Sequence, residues 1–156
     1  MSVLHDYSAT ITWTGNRGSG TSRYNAYDRS WDLASPGKPV VHCSNEPLLG
    51  GDALLYNPED MLISALSACH MLWYLHLAAD AGIIIESYSD TPTAQGETLK
   101  NGASRFVSAT LQPAISLRAG ADLELADQLH HQVHQFCFIS RSVNFPVQYA
   151  AKYSVV

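Results

Sequence analysis

Charge is scarce in this chain. Only 15% of its 156 residues are charged, where about a quarter is typical of globular proteins. With 46% apolar residues, so little charge points to a surface partly covered by self-association. The nine Lys and Arg residues form no cluster and the net charge is −5. The basic footprint of a nucleic-acid partner is therefore missing. The opening stretch MSVLHDYSAT has no basic region followed by an apolar core, so no signal peptide is read there. Cysteine is limited to Cys43, Cys69 and Cys137. Their number is odd, and their spacings match neither a zinc site nor a secreted disulfide framework. A cytoplasmic location is the expectation, and there paired cysteines are more often redox-active or incidental than structural. G-x-S-x-G, the P-loop, the dinucleotide fingerprint and C-x-x-C are all absent. So are internal repeats and low-complexity tracts.

What the chain does have is one long apolar run. Met61 to Ala79 carries no Asp, Glu, Lys or Arg, and about 20 such residues span a bilayer. Ser64, Ser67, His70 and His76 interrupt it. Its upstream flank, Glu59 and Asp60, is acidic, and no Lys or Arg sets an orientation. These features favour a core helix over a membrane span. Asn57 suits an N-cap and Pro58 the first helical position. Glu59 and Asp60 complement the positive end of the helix dipole. Leu62, Ala65, Leu66, Cys69 and Trp73 follow at three-four spacing, and Gly82 supplies a stop. Ile63, Leu72 and Leu75 make the opposite side apolar too, which predicts a helix buried on all sides.

The rest reads as strands and a second helix. Tyr7–Thr14 alternates as a half-buried strand, Gly15–Gly20 is a turn, and the stretch from Thr21 to Asp28 looks like the returning strand of a hairpin. Arg17 sits at its tip. Leu33–Pro58 is a Pro- and Gly-rich loop with a short strand near Val40 and Val41. Gly82–Asp90, Ser104–Leu111 and Pro113–Leu117 read as strands, with a polar connection over Gly96–Ala103. Asp122 to about Phe138 is a helix, and Phe145 to Val155 alternates as one final strand. The order predicts an α+β fold in a single domain, residues 1–156.

A lone cysteine in an apolar helix is usually a small hydrophobe. Cys137 changes the reading of Cys69, because it too lies on an apolar helical stripe, and two long helices of one domain tend to pack together. Two thiols able to pair in a reducing compartment suggest an exchange cycle. Apolar surroundings raise a thiol's pKa, so a reactive Cys69 needs a cation beside it. No Lys lies in this region. Arg17 is a candidate, with Glu59 as the anion that holds it. On spacing alone the favoured readings are a solvated loop charge for Arg17 and a helix-dipole carboxylate for Glu59. His130 and His134 share a helical face at a spacing that binds zinc. HHQVH, however, lacks the acidic residue of H-E-x-x-H, and no further ligand lies close, so no metal is expected. His70 and His76 read as hydrogen-bonded interior or interface histidines.

The stretch NPEDMLISALSACHMLWYLHLAADAG resembles the central helix of the OsmC/Ohr family, the osmotically inducible and organic hydroperoxide resistance proteins. Asn57, Pro58, Glu59 and Cys69 match its register. TWTGNRGSG is similar to the family's first turn, where a functional arginine sits, and CFISRSV to its second-cysteine segment, usually Cys-Pro-x-Ser. Phe138 stands here in place of the proline.

The resemblance implies antiparallel sheets packed around a long central helix in an intertwined homodimer. It implies a thiol peroxidase reducing organic hydroperoxides, with no cofactor, metal, nucleic acid or membrane involved, and a dithiol reductant. Cys69 would be the peroxidatic cysteine and Cys137 the resolving one, through a Cys69–Cys137 disulfide. Arg17 would stabilise the thiolate and Glu59 would orient Arg17. Arg23 and Arg29 lie near the same hairpin, and Glu46 is a second carboxylate to consider. An apolar pocket from Met71, Trp73 and similar side chains would favour alkyl hydroperoxides. Cys43 is read as an unpaired bystander. The alternative reading is an OsmC-like small-molecule-binding or stress-linked dimer without peroxidase turnover.

Overall fold

A computed structural model describes residues 3–156; Met1 and Ser2, at the start of the stretch examined for a signal peptide, lie outside the described residues. The chain forms two compact units, the first ending at Met61 and the second spanning Leu62–Val156.

The first unit holds a three-stranded antiparallel sheet in the order β1 (Thr10–Trp13), β2 (Trp31–Ala34), β3 (Val41–Cys43). Thr10 pairs with Ala34 and Trp13 with Trp31. The strand that returns from β1 is thus Trp31–Ala34 and not Thr21–Asp28. The glycine-rich turn opens into a long excursion instead, pinned by a single bridge between Asn16 and Tyr27. Asn16 organises its tip, accepting the N–H groups of Gly18 and Gly20 at 2.8 and 3.0 Å. Gly18 and Gly20 both have positive φ, which side chains resist. β1 is exposed at every residue, although its alternation predicts a half-buried strand.

Helix α1 (Pro58–Asp80) begins in a reciprocal cap. Asn57 Oδ1 accepts the Asp60 N–H at 2.8 Å, and Asp60 returns the bond to the Asn57 N–H at 3.3 Å. Gly82, at φ 73°, lets the chain turn away just past its end. Its buried residues are Leu66, Ser67, His70, Tyr74 and Ala78, a single stripe. Leu72 is 63% exposed. Burial on all sides is therefore not what one chain achieves. The helix is long and apolar enough to cross a membrane, but its buried stripe packs into a protein core.

That core belongs to the second unit. Tyr74 and Ala78 of α1 meet Ile115 and Leu117 of β7 (Pro113–Leu117) and Ala126, Leu129, Val133 and Cys137 at α2 (Leu123–Phe136). α2 starts at Asp122, whose carboxylate accepts the Leu125 N–H at 3.0 Å. The strands of this unit form two three-stranded sheets. One runs β4 (Ile85–Asp90), β7, β9 (Lys152–Val155); the other β5 (Thr93–Thr98), β6 (Ser104–Leu111), β8 (Val147–Tyr149).

The architecture is α+β, as predicted, with two corrections. The polar stretch from Gly96 falls partly in a strand, β5, paired with β6. The sheets are also not wholly antiparallel: β8 runs parallel to β6 and β9 parallel to β7. The cause is connectivity. α2 carries the chain back before β8 and β9, and a helical crossover delivers the next strand in the same direction. The alternating C-terminal stretch breaks near Ala150, so its two halves join different sheets.

Candidate functional site

Cys69 lies at the flank of the buried stripe of α1, with Trp73 and Leu77 one and two turns on; all three pack against the core. Cys137 is the residue that ends α2, its N–H still bonded to the Val133 carbonyl at 2.8 Å, and it is 1% exposed. The two thiols are free and near enough for Cys137 to influence Cys69. A turn follows at once. Arg141 N–H bonds the Cys137 carbonyl at 3.2 Å and Ser142 N–H the Ile139 carbonyl at 2.9 Å. Within this turn the Ser140 N–H lies 3.4 Å from Cys137 Sγ. The backbone of Ile139 and Phe138, the next two residues in this turn, lies near enough to Cys69 to influence its thiol.

Burial pushes the Cys69 thiol above its ordinary pKa, and Cys137 adds to this; the backbone of Ile139 and Phe138 opposes it. Cys69 is thereby favoured as thiol over thiolate. Making one sulfur a nucleophile at neutral pH takes a further positive influence.

Around the sulfurs, Trp73 stacks on Phe136 with ring centroids 5.0 Å apart. Met71 and Trp73, expected to share a pocket, line different hollows. Trp73 lines a shallow hollow of about 230 Å³ with Leu72 and His76. Met71 lines another, of about 270 Å³, with Ser64, Ser67, Tyr88 and Asp90 among its walls. Two residues on, a helix has turned through roughly 200°, so these side chains leave on opposite faces. In the second hollow the Ser67 hydroxyl donates to Asp90 at 2.5 Å, and Asp90 also accepts the Gln112 N–H at 2.6 Å.

Next to Cys69, His70 turns inward. Its Nε2 lies 2.7 Å from His130 Nδ1, and both rings are buried. His130 is sandwiched between Tyr74 and Tyr149, at 4.1 and 4.6 Å between centroids. Burial lowers His70 to about 4 and His130 to about 3, with neighbouring histidines adding to both effects. The interior reading of His70 therefore holds. His76 instead is exposed and faces Asp80 at 3.5 Å. The zinc-like spacing of His130 and His134 has a different use, since His130 commits Nδ1 to His70. Among the described residues no group of three candidate ligands gathers.

The remaining candidates belong to the first unit. Arg17 is 52% exposed and pairs with Asp28 at 3.6 Å, while hydrogen-bonding the Asn25 carbonyl. Glu59, in the same unit, is an exposed first-turn carboxylate and is not Arg17's ion-pair partner. Arg29 is held against the rings of Tyr24 and Tyr27 and donates to both of their carbonyls. Arg23 and Glu46 are exposed. Cys43 is fully buried, its thiol pushed up by burial and then by Asp32. Asp28 was not legible in the sequence, because it lies eleven residues from Arg17 across an irregular excursion.

Residues 50–152 match a family described as OsmC-like protein. No curated protein matches the chain in sequence. Among solved structures, an OsmC-like protein of unknown function from Vibrio cholerae is 25% identical, with a TM-score of 0.86 over 96% of this chain and 100% of that one. An organic hydroperoxide resistance protein from Elizabethkingia anophelis is 21% identical, with a TM-score of 0.71 over all of both chains. One from Bacillus subtilis is 20% identical, with a TM-score of 0.64 over 94% of this chain and 98% of that one. The last two share the fold.

Proposed function

The chain belongs to the OsmC-like family, and from that premise we propose that it is a cysteine-based peroxidase reducing organic hydroperoxides to alcohols. The reading is carried by one observation: Cys69 and Cys137, 68 residues apart in sequence, pack into the same core, close enough for Cys137 to raise the Cys69 thiol. Two hydroperoxide resistance proteins of the same fold support it.

In the proposed cycle the Cys69 thiolate attacks a peroxide oxygen. The O–O bond breaks, and the departing alkoxide takes up a proton to leave as alcohol. Cys69 is then a sulfenic acid. The Cys137 thiol condenses with it, water leaves and the disulfide forms. A dithiol reductant restores both thiols by exchange and is itself oxidised. Nothing in this sequence of steps calls for a metal, flavin or haem. Arg17 is assigned to stabilise the thiolate and the peroxide, and Glu59 to orient Arg17. Their engagement requires Arg17 to leave or share Asp28. Pairs this exposed are worth about 0–1 kcal/mol, so the exchange costs little. We take residues 1–156 as one functional OsmC-like domain, acting as a cytoplasmic homodimer.

Consumption of cumene hydroperoxide in the presence of a dithiol tests the assignment. Cys69→Ser abolishes turnover. Cys137→Ser permits one turnover, after which Cys69 over-oxidises. Intact-protein mass spectrometry after one equivalent of peroxide shows the loss of two hydrogens, reversed by dithiol. If neither substitution changes consumption, the small-molecule-binding or stress-linked dimer reading replaces this one.

A further inference from the structure

On the side of α1 turned away from Cys69 lies a hollow that the peroxidase reading does not use. Ser67 and Met71 stand two residues before and two after Cys69, and each leaves the helix roughly 200° round from it. With Ser64 and Ala68 they form one wall; Asp90, at the end of β4, and Pro92 belong to the other. All of these residues lie in the second unit. The space is about 270 Å³, room for a small organic molecule.

The polar groups here are short of a cation. Asp90 is in no ion pair among the described residues. One of its oxygens accepts the Ser67 hydroxyl at 2.5 Å and the other the Gln112 N–H at 2.6 Å. These bonds fix the carboxylate in place, yet an ionised carboxyl has about four acceptor sites, so about two are left over. Ser67 spends its proton on Asp90 and offers only lone pairs. Tyr88, which also lines the hollow, adds no charge, since burial and then Asp90 hold its hydroxyl protonated above the ordinary tyrosine range. His70, lowered to about 4 by burial, is neutral and does not balance Asp90. A half-buried carboxylate with spare acceptors and no counter-charge favours a ligand that brings both donors and positive charge. Calcium and magnesium ask for about six or more oxygens, and the side chains of Met71, Ala68 and Pro92 offer none.

We propose that this hollow binds a small organic ammonium ion, its charged head on Asp90 and its apolar body against Met71, Ala68 and Pro92. The head donates to the carboxylate and to the Ser67 oxygen, and the body gains from leaving water. The site is separate from the thiols, and its occupancy does not require Cys69 to react.

Titration of benzylammonium chloride into the ¹⁵N-labelled full chain at neutral pH tests this, followed by amide resonances, with benzyl alcohol as a probe of like shape and no charge. The amides of Ala68, Met71 and Asp90 shift saturably with the ammonium, which binds about fivefold more tightly than the alcohol. Asp90→Asn removes that preference. Should the variant fail to fold, the comparison of the two probes on the wild type decides alone. Equal affinities would make the hollow an apolar one only and overturn the proposal. An absence of saturable shifts, the result expected where a second copy of the chain fills the hollow, overturns it as well.

Discussion

His130 is fully buried, and its Nε2 has no partner among the described residues. This fixes the tautomers of the pair. If His70 donated to His130 Nδ1, the His130 proton would sit on Nε2 as an orphaned N–H. If His130 Nδ1–H donates to His70 Nε2, only a lone pair is left over, and buried donors go unpaired more rarely than acceptors. Both rings are neutral at pH 7, with native values near 4 and 3 against about 6.5 in the unfolded chain. The unfolded chain binds more protons between those limits, so stability is full above about pH 6.5 and is lost as pH falls towards 4. Melting curves followed by circular dichroism from pH 8 to pH 4 should be flat at first and then decline. A variant with His70 and His130 both replaced by Gln should decline less steeply; equal slopes would refute the assignment. The sequence displays this pair badly. HHQVH draws the eye to spacings within one helix, whereas the partner of His130 is 60 residues away on another.

The helices were the most legible elements, because local chemistry marks their ends. Asn57, Asp60 and Gly82 bound α1, and Asp122 caps α2, just as the residue types suggest. Asp122→Ala should cost about 1 kcal/mol, read as a lower midpoint in urea unfolding with unchanged slope. Strands were read well where they are apolar, as in β6, and poorly where they are polar. β5 (TAQGET) has no apolar alternation, and cross-strand bonds such as Arg105 to Glu97 at 2.7 Å join it to β6. The hairpin return was misplaced because a chain with Gly and Ser at its turn does not announce that it will wander before pairing. In the thiol site, helical stripes made a meeting of Cys69 and Cys137 conceivable. The turn that brings the Ser140 amide to the Cys137 sulfur is a property of backbone path and was out of reach.

At the scale of the whole molecule, large apolar side chains lie open to solvent in both units. Ile11 in β1 and Leu72 in α1 are both more than 60% exposed, and Phe138 is 58% exposed. The proposed homodimer would cover side chains of this kind. Sedimentation equilibrium should return about twice the chain mass of 17.0 kDa, and Leu72→Asp should shift the distribution towards the single chain. An undisturbed dimer in that variant would exclude this stretch of α1 from the interface. Chain order adds one more property. β8 and β9, separated by two residues, complete two different sheets by lying alongside β6 and β7. During synthesis on the ribosome both sheets therefore wait with an open edge until the same short ribbon emerges. The second unit closes in one late step, and the nascent chain depends on its neighbours in the cell not to pair with those edges first.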